Sequence, residues 1–517
     1  MTSSGTTSHR TTSRRAAAAS TAWTASWELL LPVADAPPRA RGRTLQEALR
    51  AAVRAGRLPA GTRLPSSRAL AADLGVSRGL VTEAYEQLTA EGYLRSDRGA
   101  GTWVGGAVRS TPPGARDLAP RPTGTRADFV PGTPDLSLFP RTAWAAAHRA
   151  VLAELPHQDL GYPDPRGLPR LRTALAGLLA RRRGVAADPE RLVVVSGVAQ
   201  ALALLGAVLH ARGVRAVGVE SPGSPEHGTL YAAAGLEAVP LPLDAEGVAM
   251  GALRRSGVRT VVTTPAHQFP TGIAYSARRR GQLLDWARSV DGLVVEDDYD
   301  GDFRYDRAPV GALQGLDPEY VAYTGSVSKS LAPGLRLGWL LVPGSLLEAV
   351  VECRRTRDLG HPVLDQALFA RFVERGDYDR QLRRCRRAYR ERRDVLVAAL
   401  REHFPGARVS GVAAGLHVIA ALPERYGPEE RFVRRAGAAG VTVRAESSYG
   451  RVRGGGREPD EGREPGSGRR PDGDREPGSG REPDGDREVR LVLGYAHQPP
   501  GRIREGVRAM ARAVDEG

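Results

Sequence analysis

The stretch Tyr323-Thr324-Gly325-Ser326-Val327-Ser328-Lys329-Ser330-Leu331-Ala332-Pro333-Gly334-Leu335-Arg336 carries the most distinctive chemistry in the chain. Of the 74 lysine and arginine residues, Lys329 is the only lysine. A chain that uses arginine everywhere else but keeps one lysine needs an amine that can lose its proton, which a guanidinium cannot do. A neutral lysine amine forms a Schiff base with an aldehyde. The hydroxyls of Ser326 and Ser328, with the planar guanidinium of Arg336, suit a phosphate. An aldehyde that carries a phosphate, held against a lysine, describes pyridoxal phosphate (PLP).

Two other stretches fit the same ligand. In Glu296-Asp297-Asp298-Tyr299-Asp300, a buried carboxylate at Asp297 facing the pyridine nitrogen would keep that nitrogen protonated and make the ring a better electron sink. Tyr299 could donate to the ring's phenolate oxygen and lower the Schiff-base pKa. The apolar run Leu192–Val195 breaks at Ser196-Gly197 and continues into a helix, Ala199–Ala211. Val198 and Ala199 would then offer backbone amides to an anion at a helix N-terminus.

The elements that position these residues follow from periodicity. Strand-like segments at Leu192–Val195, Ala216–Glu220, Glu237–Pro240, Thr260–Thr264, Leu293–Glu296, Tyr320–Thr324 and Leu337–Val342 alternate with helices, such as Leu168–Arg183. The pattern predicts an α/β fold with a mostly parallel, doubly wound sheet. Ligands of such sheets gather beyond the strand C-termini. Ser196-Gly197, Thr264–Gly272, Asp297–Tyr299 and Ser326–Lys329 all fall there. Strand Val489–Leu493 and an amphipathic helix, Arg502–Val514, close the chain.

The totals set the frame. At 517 residues the chain is too long for one core, and 41% apolar content supports two or three. The net charge of +15 points to a polyanionic partner, although arginine-rich usage also follows base composition. Cys353 and Cys385 are the only two cysteines, so neither a disulfide framework nor a metal site is expected, which fits the cytoplasm. No stretch of apolar residues is long enough to cross a membrane. Residues 1–26 read as a disordered tail. Residues 106–126, with Pro112, Pro113, Pro120 and Pro122, read as a semi-extended linker that lets the first domain move. Residues 451–488 repeat Arg-Glu-Pro-Gly-Ser-Gly and Arg-Glu-Pro-Asp-Gly-Asp and read as a disordered, charge-balanced insertion.

Between tail and linker, residues 27–105 have a different character. Thr44–Ala55 is an amphipathic helix through Leu45, Leu49 and Val53. Ser66 or Ser67 caps a short helix to Leu74, and Ser77 caps another through Glu91. Tyr93–Val104 makes two short strands around Arg98-Gly99-Ala100-Gly101. Helix, helix, turn, helix and hairpin make a winged helix-turn-helix. Its second helix would enter the major groove of double-stranded DNA, led by Ser77, Arg78 and Thr82, with Arg78 on a guanine edge or a phosphate. Arg63 and Arg68 would meet the backbone, and Arg98-Gly99 would press a wing into the minor groove.

The wording Leu64-Pro65-Ser66-Ser67-Arg68…Leu74-Gly75-Val76-Ser77-Arg78…Gly92-Tyr93-Leu94 resembles the GntR family of bacterial repressors. With Thr264-Pro265-Ala266-His267-Gln268-Phe269-Pro270-Thr271-Gly272, Glu296–Tyr305 and Thr324–Trp339, the chain resembles the MocR group of that family from Trp27 onward. The resemblance implies a winged helix joined to a fold-type I aminotransferase-like PLP domain over 127–517. It also implies Lys329 as the Schiff-base lysine, Asp297 on the ring nitrogen and Tyr299 on the ring oxygen, with Ser326, Ser328 and Arg336 near the phosphate. Tyr162 resembles the tyrosine that reaches the neighbouring subunit's phosphate, which implies a homodimer.

Three departures stand against amino-acid transamination. Serine, Ser224, occupies the usual ring-stacking aromatic position, with His227 nearby as a substitute or a surface residue. Val198-Ala199 replaces a Ser/Thr-Gln pair, and Val492 stands where a carboxylate-binding arginine is usual. Arg490, two residues earlier in the strand, is the alternative clamp. The expected function is a PLP-dependent DNA-binding regulator that senses PLP or a PLP adduct of an amino compound. The competing expectation is a working aminotransferase with a DNA-binding appendage.

Overall fold

A computed structural model describes Val33 and residues 36–97, 101–105, 126–305, 310–450 and 488–515. Arg98, Gly99, the tail, the linker to residue 125 and the insertion from 451 to 487 lie outside the described residues. The chain divides into two compact units at Arg121–Pro122.

The first unit is built on three helices: α1 (Arg41–Arg54), α2 (Ser67–Asp73) and α3 (Arg78–Ala90). Helix α1 starts three residues before the expected Thr44, because Ala40 can begin the turn without a side-chain cap and Thr44 returns its hydroxyl to the Ala40 carbonyl. Ser66, not Ser67, caps α2 by accepting from the Ala69 amide at 3.1 Å, and Ser77 caps α3 from Leu80 at 3.3 Å. Leu45, Leu49, Leu70, Val81 and Leu88 face one another in a small core. Strands β1 (Leu94–Asp97) and β2 (Gly101–Val104) pair antiparallel, Leu94 opposite Val104, and close the unit as a winged helix.

The second unit carries an eight-stranded sheet. Its strands are β4 (Leu192–Val195), β5 (Ala216–Ser221), β6 (Glu237–Asp244), β7 (Gly247–Val248), β8 (Thr260–Thr263), β9 (Leu293–Asp297), β10 (Val321–Ser326) and β11 (Gly338–Leu341). They run in the order β4-β11-β10-β9-β8-β5-β6-β7. Strands β10, β9, β8, β5 and β6 are parallel, while β11 is antiparallel to β10 and β4, and β7 to β6. Valines fill both faces of the central strands, as a sheet covered on both sides requires. Helices α4 (Arg141–Glu154), α5 (Pro169–Arg183), α6 (Val198–Ala211), α7 (Pro225–Ala233), α8 (Met250–Arg255) and α9 (Ala277–Ser289) belong to this body. Strand β3 (Ala127–Asp128) opens the unit and pairs with β14 (Val441–Thr442).

Beyond the sheet come α10 (Gly344–Asp358), α11 (Val363–Glu374) and α12 (Asp377–His403), the last 27 residues long. A second, antiparallel sheet follows, ordered β12 (Arg408–Ser410), β13 (His417–Leu422), β16 (Val489–Gly494) and β15 (Arg444–Ala445). Helix α13 (Glu429–Ala438) lies between β13 and β14 in the chain, and α14 (Pro500–Asp515) closes it. Only its final strand was legible as such. Residues 451–487 leave and re-enter between β15 and β16, which pair directly, Arg444 opposite Val492 and Ala445 opposite Leu491.

Leu88 is 1% exposed in the small core of the first unit. Leu88→Ala should cost that unit about 2–5 kcal/mol. In urea unfolding of the full chain, the transition assigned to the first unit should move to lower denaturant and that of the second unit should stay.

Candidate functional site

Consecutive acids at the end of β9 face different partners. Glu296 accepts from the Leu313 and Gln314 amides at 2.8 and 2.9 Å, and burial pushes its carboxyl up to about 7. Asp298 is consumed by Arg183, whose Nε lies 2.6 Å away, and by the Tyr323 hydroxyl at 2.6 Å. Asp297 remains for the site. Its Oδ2 meets His227 Nε2 at 2.9 Å, while its Oδ1 is buried with no hydrogen-bond partner. An unsatisfied buried carboxylate oxygen is costly unless a ligand donor completes it. Pyridine N–H is such a donor, so this atom fits a protonated pyridine ring.

His227 is therefore no surface residue: it is 3% exposed, on α7. Burial alone would drive it toward the neutral form, but the hydrogen bond and charge of Asp297 outweigh that and hold its pKa above the usual value. The pairing spans 70 residues of sequence. No local pattern announces it.

Lys329 sits in the turn after β10, where the register sets Thr324 beside Asp297. Its Nζ donates to the Gly132 carbonyl at 2.6 Å. Burial pushes the Lys329 pKa down, against the pull of Asp297 and Asp300. An amine so held gives up its proton more readily than an exposed lysine, as Schiff-base formation demands. Gly132, at φ +93°, brings its backbone against the amine, a partner that sequence reasoning missed.

At the opposite end of the site, Arg336 has a left-handed backbone, φ +48°, and its Nη2 donates to the Ser196 carbonyl. A Cβ on Gly197 would lie 3.1 Å from that same nitrogen, so glycine leaves room for the guanidinium. Helix α6 begins at Val198, so the amides of Val198 and Ala199 have no carbonyl one turn earlier in the helix to bond, whereas the Gln200 amide already bonds the Gly197 carbonyl. The Ser326 hydroxyl accepts from the Ser328 amide at 3.4 Å. Gln200, also missed, accepts from the Ser196 amide at 2.6 Å and from buried Arg354 at 2.7 Å, and so fixes the turn. His361 stands 3.3 Å from the Ser196 hydroxyl; burial, aided by Arg354, lowers its pKa to about 4 and keeps the ring neutral.

The departures are visible in three dimensions. Ser224 bonds Glu226 at 2.7 Å and offers no ring face. Phe269 packs edge-on against Tyr299 and Tyr449, at centroid distances of 6.0 and 5.2 Å. Val492 is buried in β16. Arg490 is exposed and ion-paired with Glu446, so the expected carboxylate clamp is already engaged. Tyr162 is 91% exposed, beyond reach of its own site's hydrogen-bond network.

On the first unit, Arg63, Arg68, Ser77 and Arg78 are exposed, and Thr82, half-buried, returns its hydroxyl to Arg78 at the start of α3. Arg63 and Arg95 lie over the Trp103 ring at 5.8 and 5.9 Å. The face of α3 that would lead into a groove is solvent-facing at its N-terminal turn.

A winged helix joined to a fold-type I aminotransferase body, with a lysine and an acid at the sheet mouth, defines the class. The family model for aminotransferase class I and II matches residues 132–453, and that for bacterial regulatory proteins of the gntR family matches 42–104. A probable rhizopine catabolism regulatory protein, MocR, of Rhizobium meliloti is 38% identical over 70% of this chain and 77% of its own length. The pyridoxine biosynthesis transcriptional regulator PdxR of Corynebacterium glutamicum is 33% identical over 81% of this chain and 91% of its own. The multiple substrate aminotransferase of Thermococcus profundus superposes at a TM-score of 0.63, with 26% identity, covering 76% of this chain and 92% of that one. The chain belongs to the aminotransferase class I and II family and, with its gntR domain, to the MocR subfamily of GntR transcription regulators. It is a DNA-binding transcription regulator with an aminotransferase-like domain.

The raised pKa of His227 gives a test of sign. Stability from its charged pairing with Asp297 is fully present below the unfolded value and is lost as pH rises through the raised folded value. The urea-midpoint gap between the protein and His227→Gln, both without ligand, should therefore be widest in mildly acidic buffer and narrow as the buffer becomes alkaline.

Proposed function

We propose that this regulator holds PLP on Lys329 and that the ligand state of this site sets operator affinity. The reading is carried by Asp297 Oδ1, a buried carboxylate oxygen with no partner, in the same site as an amine whose pKa burial depresses. In it, Lys329 takes the aldehyde carbon, Asp297 the ring nitrogen and Tyr299 the ring oxygen. Ser326, Ser328, Arg336 and the Val198 and Ala199 amides hold the phosphate. When bound, PLP supplies an electrophilic carbon and an electron-withdrawing ring. The protein's part is to ease proton loss from Lys329, to set Asp297 against the ring nitrogen and to gather a guanidinium, hydroxyls and amides at the phosphate end. The Corynebacterium glutamicum relative is named for pyridoxine biosynthesis, which supports a vitamin-derived ligand.

Tyr162, projecting almost wholly into solvent, supports a homodimer in which it reaches the partner's phosphate, so that two winged helices would meet two half-sites. On the DNA, Arg78, Ser77 and Thr82 read the major groove, Arg63 and Arg68 hold phosphates, and Arg98-Gly99 enters the minor groove. Sensing needs a ligand with different affinity for two arrangements of the protein. An amino compound that took the place of the Lys329 amine on the aldehyde, leaving that amine free, would meet this condition. Turnover as an aminotransferase is disfavoured: Ser224 gives no stacking ring, Val492 no guanidinium, and Glu446 already holds Arg490.

Lys329→Ala should remove the absorbance band near the visible edge while the far-ultraviolet circular dichroism stays unchanged; a surviving band sinks the assignment. Arg78→Ala should weaken operator binding by about 1–3 kcal/mol if its contact is bidentate, and relax the preference at one base position. A gel-shift titration over single-base variants of the operator measures both, and identical profiles for mutant and parent would count against α3 as the reader.

A further inference from the structure

Beside the ligand site lies a buried constellation that no role above uses. His267 Nδ1 is 2.9 Å from Asp300 Oδ2 and 3.1 Å from the Tyr299 hydroxyl, while its Nε2 is buried with no partner. His267 and Asp300 are each 3% exposed. We propose that His267, oriented by Asp300, is a positioning residue that turns the Tyr299 hydroxyl hydrogen toward the ring oxygen of the ligand. The inference rests on the PLP reading above.

The proton count carries it. A ring nitrogen beside a carboxylate bears the hydrogen, because the carboxylate can only accept. Nδ1–H therefore points between Asp300 and Tyr299, and the tyrosine oxygen is left to accept from it. A hydroxyl has one hydrogen, and Asp300 competes with the ligand for the one on Tyr299; by donating Nδ1–H to Asp300 Oδ2, His267 occupies that competitor and leaves the tyrosine hydrogen for the ring oxygen. A small cavity whose wall includes Tyr299, Asp300, Ser326 and Lys329 lies at hand. With Asp300 removed, the imidazole could take the other tautomer and claim the tyrosine's hydrogen for itself.

The packing around the pair is built to hold it. A Cβ on Gly415, at φ +81°, would fall 2.2 Å from His267 Cε1 and 2.7 Å from Asp300 Oδ2. Only glycine allows this approach. The Gly415 carbonyl is itself pinned by the Tyr305 and Tyr495 hydroxyls, each at 2.7 Å. From β13, His417 stacks at 5.2 Å from the His267 ring and keeps its Nε2 on the Pro270 carbonyl at 2.9 Å. The groups facing His267 are thus Asp300, Tyr299 and His417; burial, with His267 beside it, pushes His417 down to about 3, so that ring is neutral. Asp300 puts the nearest charge and a hydrogen-bond acceptor beside Tyr299, and Asp297 and Glu220 add theirs. One wall of the relay belongs to the antiparallel sheet and the other to the parallel one.

The test is a spectrophotometric pH titration of the full-length protein loaded with PLP. A donor on the ring oxygen favours loss of the proton at Lys329, so losing that donor should move the midpoint of the band upward. His267→Ala and Asp300→Asn should each keep the band and a borohydride-reducible adduct on Lys329, yet raise the midpoint by half a pH unit or more. His267→Gln, whose amide N–H can donate to the same tyrosine oxygen, should return it toward the parent value. In a Tyr299→Phe background, His267→Ala should add no further shift. A coloured parent whose midpoint ignores His267, or shifts that add fully in the double variant, overturns the relay alone. A colourless parent overturns the PLP reading and the relay with it. Ligand atoms of His267, Asp300 and His417 lie within 4.8 Å of one another, so EDTA dialysis is the third arm. An unmoved midpoint after EDTA upholds a proton relay; a shift matching His267→Ala assigns the cluster to a metal and overturns it.

Discussion

A buried amine cannot keep its charge cheaply, and a buried carboxylate cannot lose its partner cheaply; the site holds both. Lys329 has a single backbone carbonyl to donate to, and burial favours its neutral form. Asp297 has His227 against one oxygen and no partner on the other. Together, at the mouth of parallel strands, they leave a carboxylate oxygen without a partner and an amine held by one backbone carbonyl. The surrounding fold serves that juxtaposition: Glu296 ties down the loop at Leu313–Gln314, Asp298 ties down Arg183, and Gly197 makes way for Arg336.

Much of this was legible in the residues. The lone lysine, the strand–glycine–helix break at Ser196-Gly197 and the acid run after β9 could be read because each is local: a few neighbours in sequence dictate a turn, a cap or a strand end. The serine caps of α2 and α3 were readable for the same reason. What escaped was non-local. His227 looked like a surface histidine because its own helix is short and polar, and only the pairing with Asp297 explains its burial. Gln200 and His361 matter through Arg354 and Ser196, on other elements. Arg490 looked free on an alternating strand, yet the turn before the insertion delivers Glu446 to it. The antiparallel sheet was harder still, since its short strands are separated by helices and by the insertion.

The same comparison separates binding from turnover. The half of the site that would meet a cofactor keeps its amine, carboxylate and guanidinium, although Val198-Ala199 and Ser224 stand where a side-chain donor pair and a stacking ring are usual. The position that would meet an amino-acid carboxylate has lost its guanidinium, with Val492 buried in its place. A protein that keeps the first and relinquishes the second suits detection, where occupancy matters more than rate.

The pairing of β15 with β16 has a further consequence. Because Arg444 and Ala445 lie directly opposite Val492 and Leu491, the sheet closes across the connection between them without using the repeat residues 451–487. Closing a longer connection costs only logarithmically more entropy, about 0.6 kcal/mol per doubling. The sheet thus tolerates expansion and contraction of low-complexity repeats at this one seam, and because Tyr449 just before it packs through Phe269 onto Tyr299, a fluorescent reporter grafted there would be coupled to the ligand site.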